Sequence, residues 1–148
     1  MLSWTCKKFD ELTPNELYAI LQLRSEVFIV EQNCAYQDAD GKDTYAHHLM
    51  CKKDDQLIAY TRILPPEISY VESSIGRVVT SPLVRKSGIG KILMRKSIET
   101  ARSLYPQAFI KIGAQLYLKQ FYESFSFIQT SEIYLEDGIP HIEMLLSF

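Results

Sequence analysis

The sequence predicts an α/β fold, a mixed and largely antiparallel sheet with about four helices. Three observations carry that expectation. Ala46–Lys53, Gln56–Leu64 and Tyr70–Thr80 read as successive strands, with two-residue alternation clearest at Leu49, Cys51, Leu57, Ala59, Thr61 and Ile63. The stretch Ile75–Met94, IGRVVTSPLVRKSGIGKILM, then changes from strand character to helical spacing at Gly88. Pro106 stops that helix before a further strand, Phe109–Ala114. This strand, helix, strand order predicts a right-handed crossover between parallel strands. At 148 residues the chain fits one domain, Met1–Phe148.

The first strand is expected in Trp4–Leu12. Thr13 then serves as an N-cap, with Pro14 at the first helical position and Glu16 in the first turn. Behind them Leu17, Ile20, Leu21 and Phe28 lie near one stripe, with Arg24 among them. An arginine there must either snorkel to solvent at the stripe's edge or find a carboxylate. The polar run Glu31–Asp43 predicts a loop, either bordering a substrate opening or simply solvated. Its aspartates, Asp38, Asp40 and Asp43, lack the order and the closing glutamate of a calcium loop, so no metal site is expected.

Lys53-Asp54-Asp55 supplies a tight turn between the second and third strands, and Pro65-Pro66 ends the third. Glu72-Ser73-Ser74 is positioned to break the early part of the fourth. The long helix presents Ile89, Leu93, Ser97, Ala101 and Leu104 as its small and apolar stripe. After the fifth strand, Tyr117–Phe125 predicts a short amphipathic helix with Leu118, Phe121, Tyr122 and Phe125 on one side. Phe127–Leu135 and His141–Phe148 complete a terminal hairpin around Glu136–Pro140.

Composition narrows the function. A hydrophobic fraction of 47% with 23% charged residues is that of an ordinary globular protein, and a net charge of -2 argues against nucleic acid as partner. No run approaches the ~20 apolar residues of a membrane span, and Met1–Lys8 lacks the apolar core of a secretion signal. Three widely spaced cysteines, Cys6, Cys34 and Cys51, fit free thiols in a reducing, cytoplasmic setting. Neither Cys34 nor Cys51 carries a feature of an activated nucleophile.

The chemical signal sits between the fourth strand and the long helix. A strand feeding a turn with free amides, and a helix starting behind them, can cradle an anion. The segment Ser81–Lys91 contains neither a GxxxxGK[ST] loop nor a GxGxxG fingerprint. It contains instead Arg85-Lys86-Ser87-Gly88-Ile89-Gly90 directly after Val78-Val79 and a short spacer. That order resembles the pyrophosphate loop of the GNAT superfamily of acetyltransferases, and more narrowly the ElaA-like family. The likeness runs through LQLRSEVFIVEQNCAYQDAD at Leu21–Asp40, HHL at His47–Leu49, AYTRI at Ala59–Ile63 and GRVVTSPLVRKSGIGKILM at Gly76–Met94. It continues through IGAQLYLKQFYESFSFI at Ile112–Ile128 and EDGIPHIEM at Glu136–Met144.

The resemblance implies acetyl-coenzyme A as cosubstrate, lying where the fourth and fifth strands splay apart. Backbone groups at Val78 and Val79 are then expected against the pantetheine arm, and the amides of Arg85, Lys86, Ser87, Gly88, Ile89 and Gly90 against the pyrophosphate. Tyr122 matches a tyrosine that many members place near the coenzyme sulfur, where a phenol can supply a proton. It is also simply one aromatic of its stripe. Ser126 stands where relatives carry glycine, and Gln115 where asparagine is common. Arg24, Glu31 and Arg62 are expected on the acceptor side. His47, His48, His141, Glu31 and water all remain open as the base. The expected activity is direct transfer of acetyl to an amine of a small molecule or peptide, with no covalent enzyme intermediate. The alternative is an acyl-coenzyme A sensor or interaction protein with little turnover. A homodimer is compatible with exposed sheet edges.

Overall fold

The computed structural model describes residues 1–148. Its strands are β1 (Leu2–Lys8), β2 (His47–Lys53), β3 (Gln56–Leu64), β4 (Ser73–Thr80), β5 (Ile110–Gln115), β6 (Ile128–Gln129), β7 (Tyr134–Glu136) and β8 (Ile139–Leu146). The α-helices are α1 (Pro14–Arg24), α2 (Ile89–Leu104) and α3 (Lys119–Glu123), and a π-helix over Ser25–Glu31 extends α1. One sheet runs in the order β1-β2-β3-β4-β5-β8-β6, with β7 also paired to β8. Only β4 and β5 are parallel, and they meet at just two positions, Ser73 opposite Ile110 and Ser74 opposite Lys111. Beyond Ser74 the two strands part, leaving a gap in the middle of the sheet.

Local chemistry sets the elements. Thr13 accepts from the Glu16 amide at 3.1 Å while the Glu16 carboxylate accepts from the Thr13 amide at 2.9 Å, closing a capping box ahead of Pro14. The buried stripe of α1 is Ile20, Leu23 and Arg24, continued by Val27 of the π-helix, so it is rotated from the expected one and leaves Leu21 exposed. Asp54 and Asp55 both take positive φ (52° and 63°), the conformation of a tight hairpin turn between β2 and β3. Ser73 begins β4, so Tyr70–Glu72 remain outside it.

Two layers cover the sheet. On one face α2 buries Ile89, Leu93, Met94, Ile98 and Ala101 with Ile112, Ala114, Tyr122, Phe127, Ile142 and Met144. Each such buried aliphatic contributes about 1.5–3 kcal/mol. Ser97 is the polar member of the α2 stripe, and its hydroxyl is satisfied by Thr61 and by the Leu93 carbonyl, both at 2.7 Å. On the other face α1 and Val27 pack on Met50, Leu57, Tyr60 and Val79.

Two irregularities shape the gap. Tyr60 pairs with Val79 and Arg62 with Gly76, so Thr61 alone opposes both Arg77 and Val78. This β-bulge, with Arg77 at φ 50°, bends β4 away from β5. At the far side α3 ends in a paired closure: the Phe127 amide donates to the Tyr122 carbonyl at 3.3 Å and the Ser126 amide to the Glu123 carbonyl at 2.9 Å. Ser126 holds φ 75°, the left-handed position that glycine normally fills, so the departure from the family pattern leaves the turn intact. The expected strand Phe127–Leu135 is split into β6 and β7, because the Thr130 amide and the Ser131 hydroxyl turn the chain onto Glu143 between them.

Candidate active site

The gap opens into a cleft of about 860 Å³. Gly76, Val78 and Val79 line it from β4, Arg85 from the loop before α2, Gly90 from the first turn of α2, and Gly113 and Gln115 from β5. Tyr122 enters from α3, Glu31 from the π-helix, and Arg62 and His141 from the sheet.

The loop at the mouth leaves its backbone amides unpaired. Gly88 caps α2 with φ 84°, and Lys86 two residues earlier has φ 67°. Left-handed residues alternating with ordinary ones turn successive amides inward. The first α2 bond is the Ile92 amide to the Gly88 carbonyl, and no amide from Arg85 through Lys91 donates to a protein acceptor. The Ser87 hydroxyl donates to the Val84 carbonyl and so pins the loop from behind. Gly90 has a normal φ, and a Cβ there would meet no protein atom within 4 Å. Its role is therefore not internal packing: Gly90 lines the cleft, and a side chain there would extend into open space. The donor set and this space fit a diphosphate.

Tyr122 is 6% exposed and stacks edge-on against Phe121 and Phe127, with centroids at 5.2 and 6.0 Å. Its hydroxyl makes no protein hydrogen bond, yet is not among the fully buried unpartnered atoms, so it opens onto the cleft. Burial, and then Tyr117 nearby, push the phenol above its ordinary range, which keeps it a proton donor at neutral pH.

The acceptor side is organised differently from expectation. Arg24 is 0% exposed and does not reach the cleft. Its Nε donates to Asp38 and its Nη1 to Asp43, both at 2.8 Å. Burial of such a long cation demands saturation, so Arg24 anchors the loop 38–43 and is not a substrate contact. Arg62 does line the cleft, but Nη1 and Nη2 are held by Asp40 at 2.8 and 2.9 Å. Arg77 adds a third cation, with Nε 2.7 Å from Asp38 and Nη2 3.0 Å from the Asp38 carbonyl. Burial opposes the charge on Asp40 and Asp43, yet hydrogen bonds from Arg62 and Arg24 prevail and hold both carboxyls below the usual range. Asp38, Asp40, Asp43 and Arg77 thus form a framework that sequence reading missed, although the buried Arg24 pointed to a carboxylate.

Glu31 and Arg85, expected at opposite ends of the site, grip one another instead. Arg85 Nη1 and Nη2 donate to the two Glu31 oxygens, both at 2.6 Å. This fork ties the π-helix to the anion loop, and π-turns recur at functional sites.

The histidines separate cleanly. His48 is fully buried, its Nε2 donating to the Asp43 carbonyl at 2.9 Å and its Nδ1 accepting from Tyr60 at 2.6 Å. Burial holds its pKa below the ordinary value, and with both nitrogens engaged it has no free base. His47 does not line the cleft, and burial and Lys8 depress its pKa too. His141 alone among them faces the cleft.

An anion loop behind a gap between one short parallel pair of strands defines an acyl-coenzyme A transferase fold. Residues 10–148 match the acetyltransferase (GNAT) domain, and the chain belongs to that family. It is 45% identical over 146 residues to the protein ElaA of Escherichia coli strain K12, spanning 97% of this chain and 95% of that one. A UPF0039 protein of Schizosaccharomyces pombe is 41% identical over 148 residues, 98% of this chain and 97% of its own. Among solved structures, an acyl-CoA N-acyltransferase from Pseudomonas aeruginosa superposes with a TM-score of 0.95 at 45% identity, over 99% of this chain and all of that one (100%). The crystal structure of E. coli ElaA gives 0.94 at 44% identity over 99% and 100%. The protein is an acyltransferase that draws its acyl group from coenzyme A. No group of histidine, cysteine, aspartate and glutamate side chains is placed to hold a metal, all three cysteines are free, and no helix is long and apolar enough to cross a membrane.

Proposed function

We propose that residues 1–148 act as one N-acetyltransferase domain, moving acetyl directly from acetyl-coenzyme A to the amine of a small molecule or peptide. The observation that carries this reading is the alignment of free amides at Arg85–Lys91, the open β4–β5 gap and the Tyr122 hydroxyl along one cleft. The amides would hold the diphosphate, with the Arg85 and Lys86 side chains adding only screened attraction. The backbone of Val78 and Val79, bent by the bulge, would align the thioester arm and its carbonyl. Tyr122 would protonate the departing sulfur. Nitrogen as the accepting atom is supported by the name of the P. aeruginosa relative, an N-acyltransferase. Arg62, although held by Asp40, still lines the acceptor end, and Glu31 guards the loop through Arg85.

Calorimetric titration with coenzyme A, followed by a thioester-consumption screen against amines and peptides, tests the reading. Saturable binding and amine-dependent turnover are expected. Tyr122→Phe should lower kcat about 100-fold or more while coenzyme affinity holds. Binding that never saturates at millimolar ligand, or turnover no faster than buffer across the panel, would refute the activity. Full turnover in the phenylalanine variant would remove only the acid assignment.

A further inference from the structure

We propose that His141 is the base that takes the proton from the accepting amine, with Glu136 positioned to stabilise the resulting imidazolium. The inference rests on the N-acetyltransferase reading and deepens it. The Nδ1 atom of His141 lies 2.7 Å from the Ile139 carbonyl. A carbonyl only accepts, so Nδ1 carries the hydrogen and the neutral ring keeps its lone pair at Nε2. That nitrogen has no hydrogen-bond donor and stands 3.5 Å from the nearer Glu136 oxygen, a contact that becomes an ion pair once the ring is charged. Tyr134 stacks on the ring at 5.9 Å and fixes its plane.

The topology places this ring opposite Tyr122. On β5, Ile112 and Ala114 face the α2 layer with Tyr122. Alternation puts Gly113 and Gln115 on the other face, and their partners across the ladder are Glu143 and His141. A thioester threading the gap would therefore meet its nucleophile from the His141 face and shed its sulfur toward the Tyr122 face. Gly113 makes room on that face for two phenols: a Cβ there would lie 3.1 Å from the Tyr70 hydroxyl and 3.2 Å from that of Tyr134. The titratable groups facing His141 are Tyr134 and Glu136 of β7, while β5 presents the neutral Gln115. Of the other charges of the cleft, Glu31 is held by Arg85, Asp40 by Arg62 and Arg77 by Asp38, Lys42 donates to the Ser69 hydroxyl, and Asp137 has no ion-pair partner.

In the step itself a nitrogen–carbon bond forms and the carbon–sulfur bond breaks. The proton released at nitrogen passes to Nε2, Tyr122 supplies one to sulfur, and exchange with water resets both side chains. The acceptor is accordingly a primary amine whose ammonium form, drawn by the carboxylates of Glu136 and the adjacent Asp137 at the cleft wall, sheds one proton to water before the neutral nitrogen attacks; the second, released as the nitrogen–carbon bond forms, is the one that Nε2 takes.

Nitrogen-15 NMR of the ligand-free protein, with His141→Asn for assignment, reads the tautomer without any turnover. The expected form carries hydrogen on Nδ1, and hydrogen on Nε2 would overturn the proposal. In kinetics with the best amine of the screen, His141→Asn and His141→Gln should each lower kcat about 100-fold or more. Both should abolish the acid limb of the pH–rate profile while leaving coenzyme affinity unchanged. Glu136→Gln should lower kcat severalfold while coenzyme affinity holds, because the imidazolium formed in the step loses its neighbouring carboxylate. Variants within about threefold of the parent kcat, on an unchanged profile, would refute the base assignment. If the parent protein transfers to no amine, the N-acetyltransferase reading falls, and the tautomer still decides whether His141 is built as a base.

Discussion

Two polar regions flank the same cleft and follow opposite rules. Around Arg24, Arg62 and Arg77, nearly every charged atom meets a partner from loop 38–43, at distances of 2.7 to 3.4 Å. In the loop Arg85–Lys91 the backbone donors meet none. Saturated polar groups in low dielectric fix a shape, because leaving any one unpaired is costly. Unsaturated donors at a helix start keep their capacity for a ligand. The wall of the cleft is thus made by groups whose bonding is largely complete, Arg62 Nε being without a partner, and its mouth by groups whose bonding is unfinished.

The harshest way to break that contrast is to leave the finished side incomplete. Arg24→Met removes a cation that is 0% exposed, leaving Asp38 with Arg77 alone and Asp43 with Arg62 alone. It should cost about 3–5 kcal/mol of unfolding free energy, read from urea denaturation. A loss below ~1 kcal/mol would show that the network is dispensable. Acid makes the same attack more gradually. Asp40 and Asp43 have folded pKa values below their unfolded ones, so their stabilisation is complete above the unfolded value, near ~3.9. It is lost as pH falls from there toward the depressed folded values. The urea midpoint should hold from about pH 7 to 5 and drop below about pH 4, and Asp40→Asn should be less stable at neutral pH and flatten that drop.

On the unfinished side the effect should appear in binding and not in folding. Gly90→Val adds bulk where no protein atom lies within 4 Å. Valine is no worse than glycine in a helix, so the thermal midpoint should stay within a few degrees, with coenzyme affinity falling about tenfold or more, roughly 1.4 kcal/mol. A variant that binds as tightly as the parent would move the diphosphate elsewhere.

The contrast also explains what could be read beforehand. Strands β2 to β5 and helix α2 were legible because alternation, the Gly88-Ile89-Gly90 start and the Pro106 stop are local signals. The unpaired amides of Arg85–Lys91 were legible for the same reason, as consecutive backbone groups at a helix start. The arginine–aspartate framework was not, since Arg24 finds Asp43 19 residues away and Arg77 reaches Asp38 39 residues back. Only the odd position of Arg24 on an apolar stripe hinted at it. The π-helix escaped as well, because its residues continue the helical stripe of α1 without a break in pattern. Glu31 and Arg85 were each recognised, but 54 residues apart they gave no sign of their union.

That union yields the subtlest test. The pair is exposed, 40% and 41% at the side chains, so its contribution to folding is small despite its fork geometry. The charge of Glu31 nevertheless occupies the Arg85 guanidinium beside the free amides, holding the Glu31 carboxyl below its ordinary range. Glu31→Gln should therefore change unfolding free energy by less than about 0.5 kcal/mol. It should also strengthen coenzyme binding a few-fold, about 0.5–1 kcal/mol, by releasing Arg85 for phosphate and removing a like charge from the anion site. The gain should shrink between 50 and 500 mM salt, as expected for charges screened over about 10 Å or less. If Glu31→Gln instead weakens binding while leaving stability alone, the carboxylate helps position Arg85 for the ligand, and this pair belongs with the finished side of the cleft.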